Sequence, residues 1–179
     1  MAIQVALFRG INVGKAKRIA MVELKALFGT LGFSDVRTLL NSGNVVFEAG
    51  RSPPAVNAKR IAAALERQAG FSANTLVLDV ATLRAAVEGN PFAGCIDDPS
   101  RMLVGFYLAA DTTPFESLHL ESRDGNFAAG EHACYLWCPD GILESPIGET
   151  LASAGFRDRV TTRNWTTTLK LLALVDAYH

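Results

Sequence analysis

Four basic side chains and two glycines fall within RGINVGKAKR, Arg9 to Arg18, with no carboxylate among them. Glycines let a loop present its backbone N–H groups to an anion, and Arg9, Lys15, Lys17 and Arg18 add charged donors around it. The chemistry this favours is recognition of a phosphate or carboxylate. GINVGK matches the phosphate loop GxxxxGK[ST] only in part, because Gly10 and Gly14 are one residue too close and Ala16 stands where a Ser or Thr would hold magnesium. A Walker-type nucleotidase is therefore disfavoured. GxGxxG is missing as well, and no cofactor is expected.

Two further polar segments join this loop as candidates. NSGN, Asn41 to Asn44, lies between two apolar runs and has the composition of a tight turn. TTRNWTTTLK, Thr161 to Lys170, reads as the head of the last helix. Helix N-termini carry partial positive charge and normally recruit Asp or Glu, whereas Thr162, Arg163, Asn164 and Trp165 include neither. Thr161 or Thr162 would cap the helix, and Arg163 with the free N–H groups would suit an anion. The structural alternative is an ion pair from Arg163 to Asp158 or Glu149, with Trp165 as core.

The elements that must position these residues follow from periodicity. Ile3 to Phe8 reads as a strand, and Met21, Leu24, Leu27, Phe28 and Leu31 recur at helical spacing until Gly32. Val36 to Leu40 and Val45 to Phe47 form a hairpin about the Asn-Ser-Gly-Asn turn. Pro53 and Pro54 open an alanine-rich helix to about Ala69, and Ser72 to Leu78 gives a further strand. The order β-α-β-β-α-β is the ferredoxin-like signature. In that topology strands one and three are adjacent and antiparallel, which brings Arg9, Asn12, Ser42 and Asn44 to one end of the sheet.

A short helix follows Asp79, and NPFAGCIDDPS, Asn90 to Ser100, has linker composition. The remainder reads as strand Met102 to Ala109, helix Pro114 to about Leu120, strands near Asn126 to Ala128 and His132 to Cys138, a short helix Pro146 to Ala152 and a helix from Arg163 to the end. This second half repeats β-α-β-β-α without a clear closing strand. The fold class expected is α+β: a ferredoxin-like module over 1–90, then a second related αβ module over 91–179 carrying the C-terminal helix. Apolar stripes through Trp165, Leu169 and Leu172 and through Leu171, Leu174, Val175 and Tyr178 make that helix more apolar than a surface helix needs.

Bulk composition bounds the partners. The 179 residues are 49% hydrophobic and 20% charged, enough for a core that needs no disulfide or metal. A net charge of −1 excludes a broadly basic surface, so any anion site must be local and nucleic-acid binding would be a minor mode through phosphate contacts. No apolar stretch reaches the roughly 18 residues that span a bilayer, and the N-terminus lacks signal-peptide features. Cys95, Cys134 and Cys138 form an odd set without CxxC. These features predict a cytoplasmic protein without membrane partners.

RGINVGK, SGNVVF and TTRNW, with NPF at Asn90 to Phe92 and PDG at Pro139 to Gly141, resemble the bacterial family named domain of unknown function 1697. The resemblance runs from about Val5 to Leu174. Members typically carry a second glycine where this chain has Lys15, and often an Asn where it has Thr166. The resemblance implies a compact α+β protein of ferredoxin-like character, and it implies no biochemical activity.

Other constellations carry less. Alternation places His132, Cys134 and Cys138 on one strand face, but the spacing is not that of a zinc site, and buried cysteines acting as small hydrophobes explain it better. No metal is expected. Asp97 and Asp98 sit in the linker, where geometry is hard to hold. His119 has no nucleophile beside it in sequence. The aromatic pattern of an RNA-recognition strand is missing from VALFRG and NVVFEA.

The reading that follows is a binding protein for an anionic small molecule, with catalysis left open. Arg9, Lys15 and Arg163 supply charge, and Asn12, Ser42, Asn44, Thr162 and Asn164 supply neutral hydrogen bonds. The rival is an interaction module in which the apolar terminal helix, through Leu171 and Val175, or an exposed sheet edge forms a homodimer.

Overall fold

The computed structural model describes residues 2–122 and 124–178. The chain forms two compact units, Met1–Leu83 together with Lys170–His179, and Arg84–Leu169.

In the first unit β1 (Ile3–Phe8), α1 (Met21–Thr30), β2 (Ser34–Leu39), β3 (Asn44–Glu48), α2 (Pro54–Ala69) and β4 (Thr75–Asp79) follow one another, and the sheet order is β2-β3-β1-β4, all antiparallel. This is the split arrangement expected from the sequence. Alternation along the strands turns Ala6 and Phe8 of β1, Val45 and Phe47 of β3 and Val77 of β4 onto one face. That face packs with Leu24, Leu27 and Phe28 of α1 and Ile61, Ala64 and Leu65 of α2. Four phenylalanines interlock there: the Phe28–Phe47 and Phe33–Phe47 ring centroids are 4.9 and 4.6 Å apart, and Phe8 meets Phe28 edge-on at 6.3 Å. One polar network enters from β1. Gln4, 2% exposed, donates to Ser52 O at 2.8 Å and accepts from Asn57 Nδ2 at 2.9 Å, so burying both amides leaves neither unsatisfied.

The edge strand β2 is covered locally by residues 177 and 178. The Arg37 guanidinium stacks 3.9 Å over the Tyr178 ring, pairs with Asp35 at 2.7 Å and donates to Ala177 O at 3.3 Å. Tyr178 Oη lies between the carbonyl oxygens of Asp35 and Val46, able to donate to either. Burial raises the Tyr178 phenol to about 12.

The second unit holds β5 (Met102–Tyr107), α4 (Thr113–Glu121), β6 (Phe127–Ala129), β7 (Ala133–Trp137), α5 (Pro146–Ala152) and β8 (Val160–Asn164). Its sheet order, β6-β7-β5-β8, reproduces that of the first unit position for position. Phe115, Phe127, Leu136, Leu151 and Val160 form the core, with Phe115 against Tyr107 at 4.8 Å and Phe156 at 5.2 Å. Gly105 in β5 is required by packing. A Cβ there would lie 2.4 Å from Cys134 Sγ and 2.8 Å from Val160 Cγ2. Along the chain, α3 (Val80–Glu88) follows β4, and Tyr135 of β7 donates from its phenol to Ala86 O at 2.8 Å.

Two expectations are corrected. A closing strand exists: β8 pairs antiparallel with β5, Tyr107 opposite Val160 and Leu103 opposite Asn164. Its β-branched run Val160-Thr161-Thr162 suits a pleated strand better than a helix head. The final helix, α6, accordingly starts at Trp165 and ends at Asp176, not at Arg163 and the chain end; residue 179 lies outside the described residues. Asn164 is the cap, with Oδ1 accepting from Thr167 N–H at 2.9 Å. Secondly, Leu171 and Val175, expected to carry a dimer contact, are 0% and 5% exposed and belong to the core of the chain itself. No helix among the described residues is long and apolar enough to cross a membrane.

Candidate functional site

The end of β1 is fixed on both sides. Phe8 N–H donates to Gly43 O and Arg9 N–H to Asn74 O, each at 2.9 Å. Gly43 has no substitute at the hairpin, because its φ is +79° and a Cβ would lie 2.6 Å from Ile11 Cδ1 and 2.9 Å from Phe8 Cβ. Asn44, fully buried, donates from Nδ2 to Leu39 O at 2.9 Å and to Ser42 Oγ at 3.0 Å. Its amide holds the turn, while Ser42 is exposed.

Beyond Arg9 the chain turns back on itself through four left-handed residues, Gly10 (φ 73°), Asn12 (φ 55°), Gly14 (φ 66°) and Lys17 (φ 53°). Asn and Gly tolerate that region; Lys does so only when the surrounding bonds impose it. They do here. Asn12 N–H donates to Lys17 O at 2.9 Å, Asn12 Oδ1 accepts from Ile19 N–H, and Asn12 Nδ2 donates to both Ile19 O and Asn41 O, all at 2.9 Å. Asn12 thus closes the loop and ties it to the β2–β3 hairpin. Ile11 and Ile19 anchor the two ends at 1% and 8% exposure, and Arg18 Nη2 donates to Gly14 O at 2.7 Å across the ring. Lys15, Lys17 and Arg18 are left exposed, and among the described residues no ion pair holds either lysine.

The loop delivers the chain into α1, whose N-cap is Ala20. Alanine has no side-chain acceptor, so the first-turn N–H groups receive none from their cap. Glu23 Oε2 instead accepts from Ala20 N–H at 3.1 Å, the reverse half of a capping box. A cleft of about 560 Å³ opens at this point, lined by Asn12, Asn41, Arg18 and Ile19, by the start of α1 at Ala20 and Met21, and by Glu23. A neighbouring cleft of about 470 Å³ shares Arg18 and Glu23 and extends to Gln68.

Five of the sequence-derived candidates, Arg9, Asn12, Lys15, Ser42 and Asn44, lie in the first unit at one end of its sheet. Thr162, Arg163 and Asn164 lie in the second unit, on β8. Arg163 is 9% exposed and donates from Nη1 to Thr161 Oγ1 at 3.0 Å and Thr162 O at 2.8 Å; desolvation lowers its pKa to about 10. It therefore sits in a strand, not at a helix head, which corrects the electrostatic argument built on it. α1 lacks a capping side chain at Ala20, as α2 does at Pro53, but the N-terminus of α1 is the one that the basic loop enters. The signal was present in the sequence as an alanine, where Ser, Thr, Asp or Asn is usual, just before the apolar period of Met21, Leu24 and Leu27. Arg18, one of the loop's charged donors in the sequence, and Asn41, at the start of the NSGN segment, both line the cleft.

The second unit has a chemically opposite cleft of about 380 Å³, rimmed by Glu121, Asp124, Asp140 and Glu144 around Trp137. Cys138, 2% exposed, also lines it. Burial pushes the Cys138 thiol up and the Cys134 thiol to about 12, which keeps both neutral and unreactive at ordinary pH. His132, expected on the strand, is exposed in the bend just before β7. Among the described residues no group of three or more His, Cys, Asp or Glu side chains is arranged to hold a metal.

Comparison with known proteins matches residues 1–135 to the family described as Protein of unknown function (DUF1697), and the chain belongs to that family. No curated protein matches significantly. Among solved structures, the conserved bacterial protein SP0830 from Streptococcus pneumoniae has a TM-score of 0.78 at 22% identity, covering 97% of this chain and 98% of its own. That likeness extends the fold over the whole length.

Proposed function

We propose that this family member binds the phosphate or carboxylate of a small molecule in the cleft between the β1–α1 loop and the head of α1. The observation that carries the reading is the Asn12-closed basic loop running directly into a helix N-terminus whose cap has no side-chain acceptor. The aligned peptide dipoles and free N–H groups of α1 favour an anion there, and Arg18 adds a guanidinium at the cleft wall. Lys15 and Lys17 raise the local potential, and Arg9 stands at the end of β1. Asn12 and Asn44 act through the scaffold, their amides committed to backbone and turn, and exposed Ser42 is the neutral donor nearest the hairpin. The three free thiols support a reducing, cytoplasmic setting.

The test is thermal unfolding with inorganic phosphate, sugar phosphates and nucleotides, on the parent chain and on Arg18→Ala and Lys15→Ala. A ligand at about 100 times its Kd stabilises by about 2.7 kcal/mol, and the variants should retain only part of that gain. Equal stabilisation of parent and variants, or none with any ligand, removes the proposal.

A further inference from the structure

We infer that the ligand is a polyhydroxylated anion, a sugar phosphate or a sugar acid, whose charged group sits at the head of α1 and whose hydroxyls reach Glu23 and Gln68. This rests on the anion site proposed above and adds what the remainder of the ligand must carry. The cleft of about 560 Å³ and its neighbour of about 470 Å³ share Arg18, Ile19 and Glu23, so charges of both signs face the same space. They do not cancel each other. Among the described residues no ion pair joins Arg18 to Glu23. Arg18 commits Nη2 to Gly14 O, and Glu23 commits Oε2 to Ala20 N–H, while no hydrogen bond among the described residues engages the other guanidinium nitrogens or Glu23 Oε1.

A carboxylate accepts hydrogen bonds and donates none, and the oxygens of a phosphate dianion or of a second carboxylate are acceptors too. Glu23 therefore repels a bare anion and rewards one that brings a donor alongside its charge. The donor could be an ammonium or a hydroxyl, and the neighbouring cleft decides between them. It extends to Gln68, whose amide both donates and accepts, as a hydroxyl does and an ammonium does not. Gln68 has only a long bond of its own, from Nε2 to Thr30 Oγ1 at 3.3 Å, and its Oε1 is not engaged among the described residues. Asn41 offers a second exposed amide on the first cleft, and Ala26 and Ala69 give the second cleft apolar wall for C–H groups. Two adjoining clefts of this size hold far more than one phosphate, and a hydroxylated carbon chain matches their mixture of neutral amides, one carboxylate and one guanidinium.

Isothermal titration calorimetry of the full chain provides the test, with two matched pairs: glucose 6-phosphate against inorganic phosphate, and gluconate against acetate. The hydroxylated member of at least one pair should bind about tenfold more tightly or better, since a hydrogen bond to an ionised acceptor is among the stronger ones. The pair that shows the preference identifies the anion as phosphate or carboxylate. Glu23→Gln keeps an oxygen for Ala20 N–H and removes the charge, so it should tighten the bare anion, weaken the hydroxylated one and collapse the preference. Gln68→Ala should weaken the hydroxylated ligand alone. Equal affinities within both pairs, a Glu23→Gln change that moves both members of a pair alike, or a Gln68→Ala chain that binds the hydroxylated ligand as the parent does would each overturn the inference and leave the anion site standing. Binding of none of the four would remove the anion site, and the inference with it.

Discussion

The two units share one strand order, yet the connection from the first strand to the first helix differs in every property that matters for binding. In the first unit it runs over residues 9–20, carries four basic residues and bends through four left-handed positions. In the second it runs over residues 108–112 and carries Asp111, which caps Thr113 N–H at 3.1 Å and pairs with Arg159 at 3.5 Å. The Thr113 hydrogen bonds hold the Asp111 carboxyl below its usual range, and Arg159 adds to them. One connection is capped and neutralised locally by Asp111; the other leaves Lys15 and Lys17 exposed and enters a helix whose one first-turn carboxylate, Glu23, accepts from Ala20 N–H. A common topology therefore positions a loop without deciding its chemistry, which rests with the side chains in the loop.

If the comparison is right, the cores should behave alike and the loops differently. Phe47→Ala in the first unit and Phe115→Ala in the second, both side chains fully buried, should each cost ~3–5 kcal/mol in chemical denaturation. A loss confined to one of them would mean that the units are not equivalent as packed bodies. Next in size are the changes that loosen the first-unit loop. Gly43→Ala meets Ile11 and Phe8 and also has a disfavoured φ, while Asn12→Ala leaves Ile19 and Asn41 without partners; each should cost about 1–3 kcal/mol and abolish anion binding with every basic residue intact. Gly10→Ala, at positive φ but in open space, should cost only about 1 kcal/mol.

The legibility of the molecule divides along similar lines. Local signals were sufficient for β1, for α1 with its Met21-Leu24-Leu27-Phe28 spacing, for the Pro-started α2 and for the glycine turn at Gly43. β8 was misread because its partner, β5, is far away in sequence, and because Thr-Arg-Asn before an apolar run also fits a helix entrance. Asn12 looked like a ligand contact for a related reason. Its bonds reach Ile19 and, 29 residues on, Asn41, and such closure is visible only after folding. The composition of the basic loop could be read from the sequence; the start of α1 was marked there only by an alanine in place of a capping side chain.

The smallest expected effects are in pH dependence. Burial raises Tyr135 and Tyr178 from 10.0 to about 12, so between those values the unfolded chain releases protons that the folded chain retains. Their contribution is complete below pH 10 and is lost as pH rises through 12. Arg163, lowered to about 10, acts in the opposite direction over the same range, and the two phenols outweigh it. Burial raises Cys134 from 9.0 to about 12 and so acts with the phenols, and alkaline unfolding followed by circular dichroism should therefore set in above about pH 9. Tyr135→Phe, though about 1 kcal/mol weaker at neutral pH for want of its bond to Ala86, should lose less than the parent over the alkaline range.

The contrast between the two loops is tested most directly by backbone amide NMR during titration with inorganic phosphate. Shifts concentrated on Gly10 to Arg18 and on Met21 and Val22, saturating with phosphate and missing at Asp111 to Thr113, are what the account predicts. Equal shifts at both loops, or none at the head of α1, would contradict it.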